Sequence, residues 1–316
     1  MTGQPRWSAL HVYYFDPLDR LITEAIAPAV DELSRAGRIQ GFFFVRYWQG
    51  GPHVRLRLLG TDDVAATVRE PLCRYLDEHP SRTDLDAAAY RRLSGYLSRA
   101  EPGRPAVEPL RRNNSVELTS YVPELEVYGG VPAMPAVERN FTDSSRIVLD
   151  LLHRPLTETR RFGIAVGMQV RAALGAEGDA ESAAELLATK HRLWTAAARP
   201  DERLLAAWDT GYRAQRDRLG RMVQLPESDE EASTAPDRAL ARWRTSVTDL
   251  VHRLTALAAD GRLQSPWPDA PRAVLLACLH MHANRLGVSA PQEAYANYLA
   301  WRALREHRPE RVGGRR

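Results

Sequence analysis

The sequence predicts an α+β fold: a mainly helical single unit with a small antiparallel sheet from the N-terminal third. Three observations carry that expectation. Strand-like runs, rich in β-branched and aromatic residues, are confined to the first 122 residues. From Pro135 onward, apolar residues recur three and four positions apart, the period of a helix with one buried face. No clean linker separates the two regions, so residues 1–316 are expected to form one domain, mixed α/β over 7–130 and helical over 135–306.

Each element follows from local chemistry. Residues 8–15 (Ser-Ala-Leu-His-Val-Tyr-Tyr-Phe) read as a strand. Asp16-Pro17-Leu18-Asp19 then opens a helix, with Asp16 as its cap and Pro17 at its first position, running to about Ala36 and ended by Gly37. Residues 41–48 and 53–59 are two strands joined through Gly50-Gly51-Pro52, a hairpin. A helix over 64–78 follows, then a loop at Pro102-Gly103-Arg104-Pro105, a strand over 115–122, and Tyr128-Gly129-Gly130 as the closing turn. Helices are expected near 136–153, 157–174, 179–197, 201–222, 236–260, 270–286 and 290–306. The acidic, polar stretch 227–236 is expected to be a surface loop.

Composition removes several classes of function. A chain of 316 residues buries a substantial core without disulfide or metal staples. Its two cysteines, Cys73 and Cys278, lie far apart in helical contexts, which suits a reducing cytoplasm. No signal-like or bilayer-length apolar run is present, so a cytoplasmic protein without membrane contact is expected. Net charge is +3, and the arginines alternate with Asp and Glu as on solvated helix faces, so no nucleic-acid partner is expected. Lys190 is the single lysine, expected in an exposed helical setting, which argues against Schiff-base chemistry. Nucleotide, serine-hydrolase and kinase motifs are lacking, and no cofactor is expected.

Two polar constellations stand out. In His53-Val54-Arg55-Leu56-Arg57-Leu58, strict alternation puts His53, Arg55 and Arg57 on one strand face. That row of donors suits a carbonyl, carboxylate or phosphate, and equally an ordinary solvent face. The second is residues 278–287, Cys-Leu-His-Met-His-Ala-Asn-Arg-Leu-Gly, which places imidazole, amide and guanidinium groups within an apolar helix. His280 and His282 point about 200° apart on a helix, so they cannot share a metal ion, and no metal site is expected. Asn284 and Arg285 do share a face with His280 at helical spacing. Ser289 and Tyr295 follow directly; Ser289 also fits a helix cap completed by Gln292 or Glu293, and Tyr295 also fits a core position.

Four blocks, in order, carry a resemblance. They are Leu10-His11-Val12-Tyr13-Tyr14 with Asp19-Arg20-Leu21-Ile22, then residues 41–47 with 53–57, then Tyr121-Val122-Pro123-Glu124 with Tyr128-Gly129-Gly130, then residues 280–287. Together they resemble the thiopeptide-type bacteriocin biosynthesis family, which corresponds to the C-terminal glutamate-elimination domain of lantibiotic dehydratases. The resemblance spans about residues 7–305. It implies a tailoring enzyme whose partner is a ribosomally made precursor peptide with its leader, alongside other enzymes of the same pathway. Elimination domains remove glutamate from glutamylated Ser or Thr. Stand-alone relatives, the pyridine synthases, join two dehydroalanines in a formal [4+2] aza-cycloaddition and expel the leader.

Elimination domains carry an arginine before Tyr-Gly-Gly, and this chain has Val127 there. A neutral branched side chain cannot hold a carboxylate. Ser289 and Tyr295, six residues apart, resemble the hydroxyl pair attributed to pyridine synthases. The resemblance therefore implies Tyr295 as hydrogen-bond donor and proton shuttle, Ser289 as orienter of the reacting amide, and His280 as acid-base assistant. Arg55, Arg57, Glu124, Asn284 and Arg285 are implied in holding substrate or leader. Glutamate elimination and non-catalytic leader binding remain the alternatives. Tyr90, Tyr96, Trp194 and Tyr298 are candidates to line an apolar site.

Overall fold

The computed structural model describes residues 4–61, 64–97, 108–224 and 234–307. The expected loop at 102–105 lies outside them, as do 227–233 and the side chain of Tyr96. The chain forms two compact units, one comprising Met1–Glu124 with Ser144–His153, the other Leu125–Asp143 with Arg154–Arg316.

In the first unit four antiparallel strands, β1 (Arg6–Tyr13), β2 (Ile39–Tyr47), β3 (His53–Gly60) and β4 (Ser115–Thr119), align in the order β2-β3-β1-β4. Alternation sorts their side chains. Leu10, Val12, Phe42, Phe44, Val54, Leu56 and Leu58 face one side and are buried. Helix α3 (Val64–Glu78) covers that side, with the Ala65 N–H donating to Ser8 Oγ at 3.2 Å. Strand β3 lies inside the sheet, and the row His53, Arg55, Arg57 is no ordinary solvent face: His53 and Arg57 are buried.

The first helical segment departs from expectation in two ways. Helix α1 (Leu18–Leu21) passes through a π turn at Ile22–Ile26 into α2 (Ala27–Arg35). Pro28 has no N–H and its ring crowds the preceding turn, and a widened turn just before it accommodates both. Asp16 is not the cap. Pro17 takes the capping position without a side-chain bond, because the Asp16 carboxylate accepts instead from Arg82 N, Thr83 N and Thr83 Oγ1. A further helix, α4 (Ala87–Leu97), was not expected. Its Tyr90 is buried, and the Tyr90 hydroxyl accepts the Gly50 N–H at 2.7 Å, so Tyr90 anchors the β2–β3 hairpin rather than lining a site.

Helix α5 (Met134–Leu152) gives its first half, to Asp143, to the second unit and the rest, from Ser144, to the first. The second unit continues with α6 (Glu158–Glu177), α7 (Ala180–Ala198), α8 (Glu202–Val223), α9 (Ala235–Ala259), α10 (Ala270–Leu286) and α11 (Ala290–Glu306). Side chains cap their starts: Thr157, Asp179, Asp201, Thr234 and Asp269 each accept a backbone N–H of the first turn. Helix α9 thus begins inside the stretch expected to be a loop. Helix α6 is buried without interruption from Ile164 to Leu174 and packs against α7, α9 and α11. A helix apolar on most sides belongs at the centre of a bundle. Trp243 of α9, 1% exposed, is among its largest buried side chains. The observed architecture is the expected α+β class, helical with a small antiparallel sheet. Among the described residues no helix is long and apolar enough to cross a membrane.

Candidate active site

The polar face of the sheet is a built constellation. Register places His11 opposite Arg55, and Tyr13 and Tyr47 opposite His53. The Arg55 guanidinium lies 3.5 Å from the Tyr47 ring centroid and donates from Nε to His53 Nε2 at 3.3 Å. Arg57 is buried and meets His11 Nε2 at 3.3 Å and the Leu56 carbonyl at 3.2 Å. Both histidines are held neutral, as acceptors must be. Burial first, then the neighbouring His53 and the arginines, push His11 down to about 2. Burial likewise pushes His53 down to about 3, against a Gly51 carbonyl that accepts from its Nδ1. Burial and Arg55 lower Arg57 to about 10. Among the described residues Arg57 meets no carboxylate. Glu124 lies exposed near the end of this unit.

In the second unit the region 278–287 divides. Cys278, His282 and Arg285 face inward. His282 stacks on Trp243 at 3.9 Å between ring centroids, and burial pushes it down to about 3. Arg285 is completely buried over Phe141, 4.4 Å from its centroid. It therefore does not stand beside His280, and its burial gives it a packing role in place of the expected contact with substrate. Asn284 is half-buried. Gly287 ends α10 with φ +80°, a left-handed turn that glycine adopts without strain.

His280 points outward. Its Nδ1 donates to Glu293 Oε2 at 2.7 Å, and its side chain remains 53% exposed. The other oxygen of Glu293 accepts from Lys190 Nζ at 2.7 Å, and Lys190 also reaches Gln169 Oε1 at 3.3 Å. Lys190 is therefore not the exposed lysine expected: its side chain is 15% exposed, because Glu293, itself buried, needs a counter-charge. Burial alone would raise Glu293. Lys190 and His280 outweigh it and hold the carboxyl down to about 2. Sequence reasoning treated Glu293 only as a possible capping partner and dismissed Lys190. Both sit on the buried stripes of their helices, Lys190 three residues after Leu187 and Glu293 three before Ala296. A charge on an apolar stripe was the available signal.

Ser289, the residue that caps α11, and Tyr295 within that helix do not share one face. Six residues apart, they are separated by about 120° around the axis. Ser289 is exposed and caps the helix: its N–H and its hydroxyl both donate to Gln292 Oε1, at 3.0 and 2.9 Å. Tyr295 is half-buried in an aromatic bed. It stacks on Phe162 at 5.4 Å and lies 5.2 Å from Trp208, which in turn stacks on Trp194 and meets Tyr298. Phe162 and Trp208 had not been singled out; nothing in their sequence context separates them from core residues. The Tyr295 hydroxyl sits over Gly211 of α8, where a Cβ would come within 2.1 Å of it. Burial raises its pKa, so the phenol is a neutral donor at neutral pH. Among the described residues it has no hydrogen-bond partner. No group of three or more His, Cys, Asp or Glu among those residues is placed to hold a metal ion.

Comparison with known proteins bears on this arrangement. A solved structure described as pyridine synthase TbtD from thiomuracin biosynthesis superposes with a TM-score of 0.78 and 22% identity, covering 94% of this chain and 97% of that one. TsrL gives 0.62 and 19%, covering 96% and 95%. The tRNA-dependent lantibiotic dehydratase MibB from Microbispora sp. 107891 gives 0.56 and 20%, covering 96% of this chain and 28% of that one. These proteins share the fold. None of the curated proteins matches the chain by sequence. The family model described as lantibiotic biosynthesis dehydratase C-term matches residues 7–304, and the chain belongs to that family.

Proposed function

We propose that the protein is a thiopeptide tailoring enzyme that joins two dehydroalanines of a ribosomal precursor peptide by formal [4+2] aza-cycloaddition, with loss of water and leader. The observation that carries this reading is the Tyr295 hydroxyl, neutral, half-buried on aromatic rings and without a protein partner among the described residues. The likeness to a pyridine synthase over nearly the whole chain supports it.

The reaction needs one dehydroalanine amide in its imidic-acid tautomer, as a 2-azadiene, facing the other dehydroalanine. Bringing two distant sites of one peptide together makes proximity the main contribution. A neutral donor on the amide favours the tautomer without a strong base. Tyr295 supplies that donor, and Ser289, if it turns from Gln292, orients the amide. His280 gives or takes the proton for dehydration and leader expulsion. Arg55, Glu124 and Asn284 hold peptide groups.

One observation favours a second reading. The buried Arg57 guanidinium meets only neutral acceptors among the described residues, a setting that suits a carboxylate, as in a glutamate lyase. Mass spectrometry of a leader-bearing bis-dehydroalanine peptide separates the readings. Loss of leader plus water marks cyclisation, loss of glutamate from a glutamylated peptide marks elimination, and binding with no mass change in either peptide marks a scaffold. Tyr295→Phe is expected to bind peptide normally and lose turnover; undiminished turnover removes Tyr295 from the chemistry.

A further inference from the structure

We infer that Lys190 and Glu293 are positioning residues for His280, forming a Lys190–Glu293–His280 relay that fixes which imidazole nitrogen works on the peptide. This rests on the acid-base role given to His280 above.

Three helices meet at one carboxylate. Glu293 of α11 lies buried between Lys190 of α7 and His280 of α10, with both contacts at 2.7 Å and one to each oxygen. A buried carboxylate is costly unless paired, and breaking a buried pair leaves an uncompensated charge. Lys190 therefore keeps Glu293 ionised. An ionised carboxylate accepts from Nδ1–H of His280, which locks the ring orientation and assigns proton exchange to Nε2. The free imidazole in water favours the opposite tautomer, so the lock has a consequence. The groups facing Glu293 are Lys190 from α7, His280 and the buried His282 from α10, and, through Lys190, the amide of Gln169 from α6. His282 is held neutral and does not compete for the carboxylate's charge.

The chain has one lysine, and a purely structural ion pair needs no third member. Here the third member is a half-exposed imidazole. Cation, buried anion and accessible imidazole in series form the arrangement that orients a general acid-base group.

The test uses the full-length chain with histidine uniformly labelled in 15N, His280 being assigned by loss of its signals in His280→Gln. Two-bond proton–nitrogen correlation spectra read the tautomer directly, whether or not the protein turns over. The wild type is expected to carry the neutral-form proton of His280 on Nδ1, and Glu293→Gln to move the population toward Nε2. With the bis-dehydroalanine peptide, E293Q should lose roughly 10- to 100-fold in kcat with KM little changed, and Glu293→Asp should recover part of it. Lys190→Met should resemble E293Q at pH 6 and approach the wild type by pH 8, as Glu293 regains its charge. The double variant K190M/E293Q, which buries no unpaired charge, serves if K190M does not fold, and should match E293Q at every pH. Wild-type His280 protonated on Nε2 overturns the inference, as does E293Q with unaltered tautomer. Unaltered turnover and pH profile of E293Q against an active wild type overturn it as well. A wild type that forms no pyridine ends the cyclase reading, while the tautomer still decides the relay.

Discussion

Lowering the pH from 7 to 5 should weaken the helical unit through His282. This imidazole is completely buried against Trp243, and burial holds its pKa near 3 against 6.5 in an unfolded chain. Between those values the unfolded chain takes up a proton that the folded one refuses, so stability falls as pH falls, with a limiting slope of about 1.4 kcal/mol per pH unit. Integrated from pH 7 to pH 5, the loss from this one residue is about 2 kcal/mol. Glu293 contributes the same sign only below about 4.5, where its unfolded carboxyl begins to protonate, and so does not interfere. The clean comparison is urea unfolding of wild type and His282→Asn at both pH values, followed by tryptophan fluorescence. The substitution costs stability at both, but the wild type should lose about 2 kcal/mol more on acidification. Equal acid losses would mean that His282 takes up a proton in the folded state, and the reasoning from its burial would be wrong.

Four more outcomes are expected. Ser289→Ala should cost about 1 kcal/mol by uncapping α11, whereas Ser289→Asp keeps the cap; if the hydroxyl also orients substrate, both slow turnover while only S289A lowers the melting temperature. Gly211→Ala puts a methyl group where the Tyr295 hydroxyl sits; the ring must shift, so turnover should fall toward that of Tyr295→Phe with an unchanged circular dichroism spectrum. Trp208→Ala should cost about 3–5 kcal/mol in chemical denaturation, because it empties the centre of the aromatic bed. Arg57→Met removes a buried cation that meets neutral acceptors, so thermal stability should hold or rise, while under the lyase reading affinity for a glutamylated peptide, measured by titration calorimetry, weakens about tenfold.

What the sequence disclosed follows from how local each signal is. Caps such as Thr157, Asp179 and Asp201 act within one turn, so their helices start where the residues indicate. Strand alternation in residues 53–58 is equally local, and it put His53, Arg55 and Arg57 on one face. Asp16 failed because a carboxylate that could cap a helix can also accept from a loop sixty-odd residues away, and Arg82 and Thr83 offered three donors. Helix α4 escaped because its described buried residues, Tyr90 and Ser94, make too thin and too polar a stripe to show as periodicity. Around 280–295, residue types alone marked a polar cluster within apolar helices. Their directions did not follow from it. That His280 faces outward to Glu293 while Arg285 is sealed over Phe141 depends on which neighbours α10 packs against, and spacing along one helix carries no such information.

The histidines show why environment, rather than residue type, assigns chemistry here. His11, His53 and His282 are each held neutral by burial, the first two as acceptors for arginines and the third flat against Trp243. A ring locked neutral across the physiological range can accept a hydrogen bond but cannot deliver a proton. His280 differs in both respects that matter: it is half exposed, and an ionised carboxylate holds its Nδ1. Exposure lets the ring exchange protons, and the carboxylate fixes which nitrogen does so. The charges that support this are on Glu293 and Lys190, and the phenol of Tyr295 is perturbed by burial and Tyr298 instead. Such a division suits a reaction that first needs an amide tautomerised by a neutral donor and only afterwards needs acid-base help to expel water and leader. A cation beside the phenol would instead draw it toward ionisation and remove the donor that the first step requires.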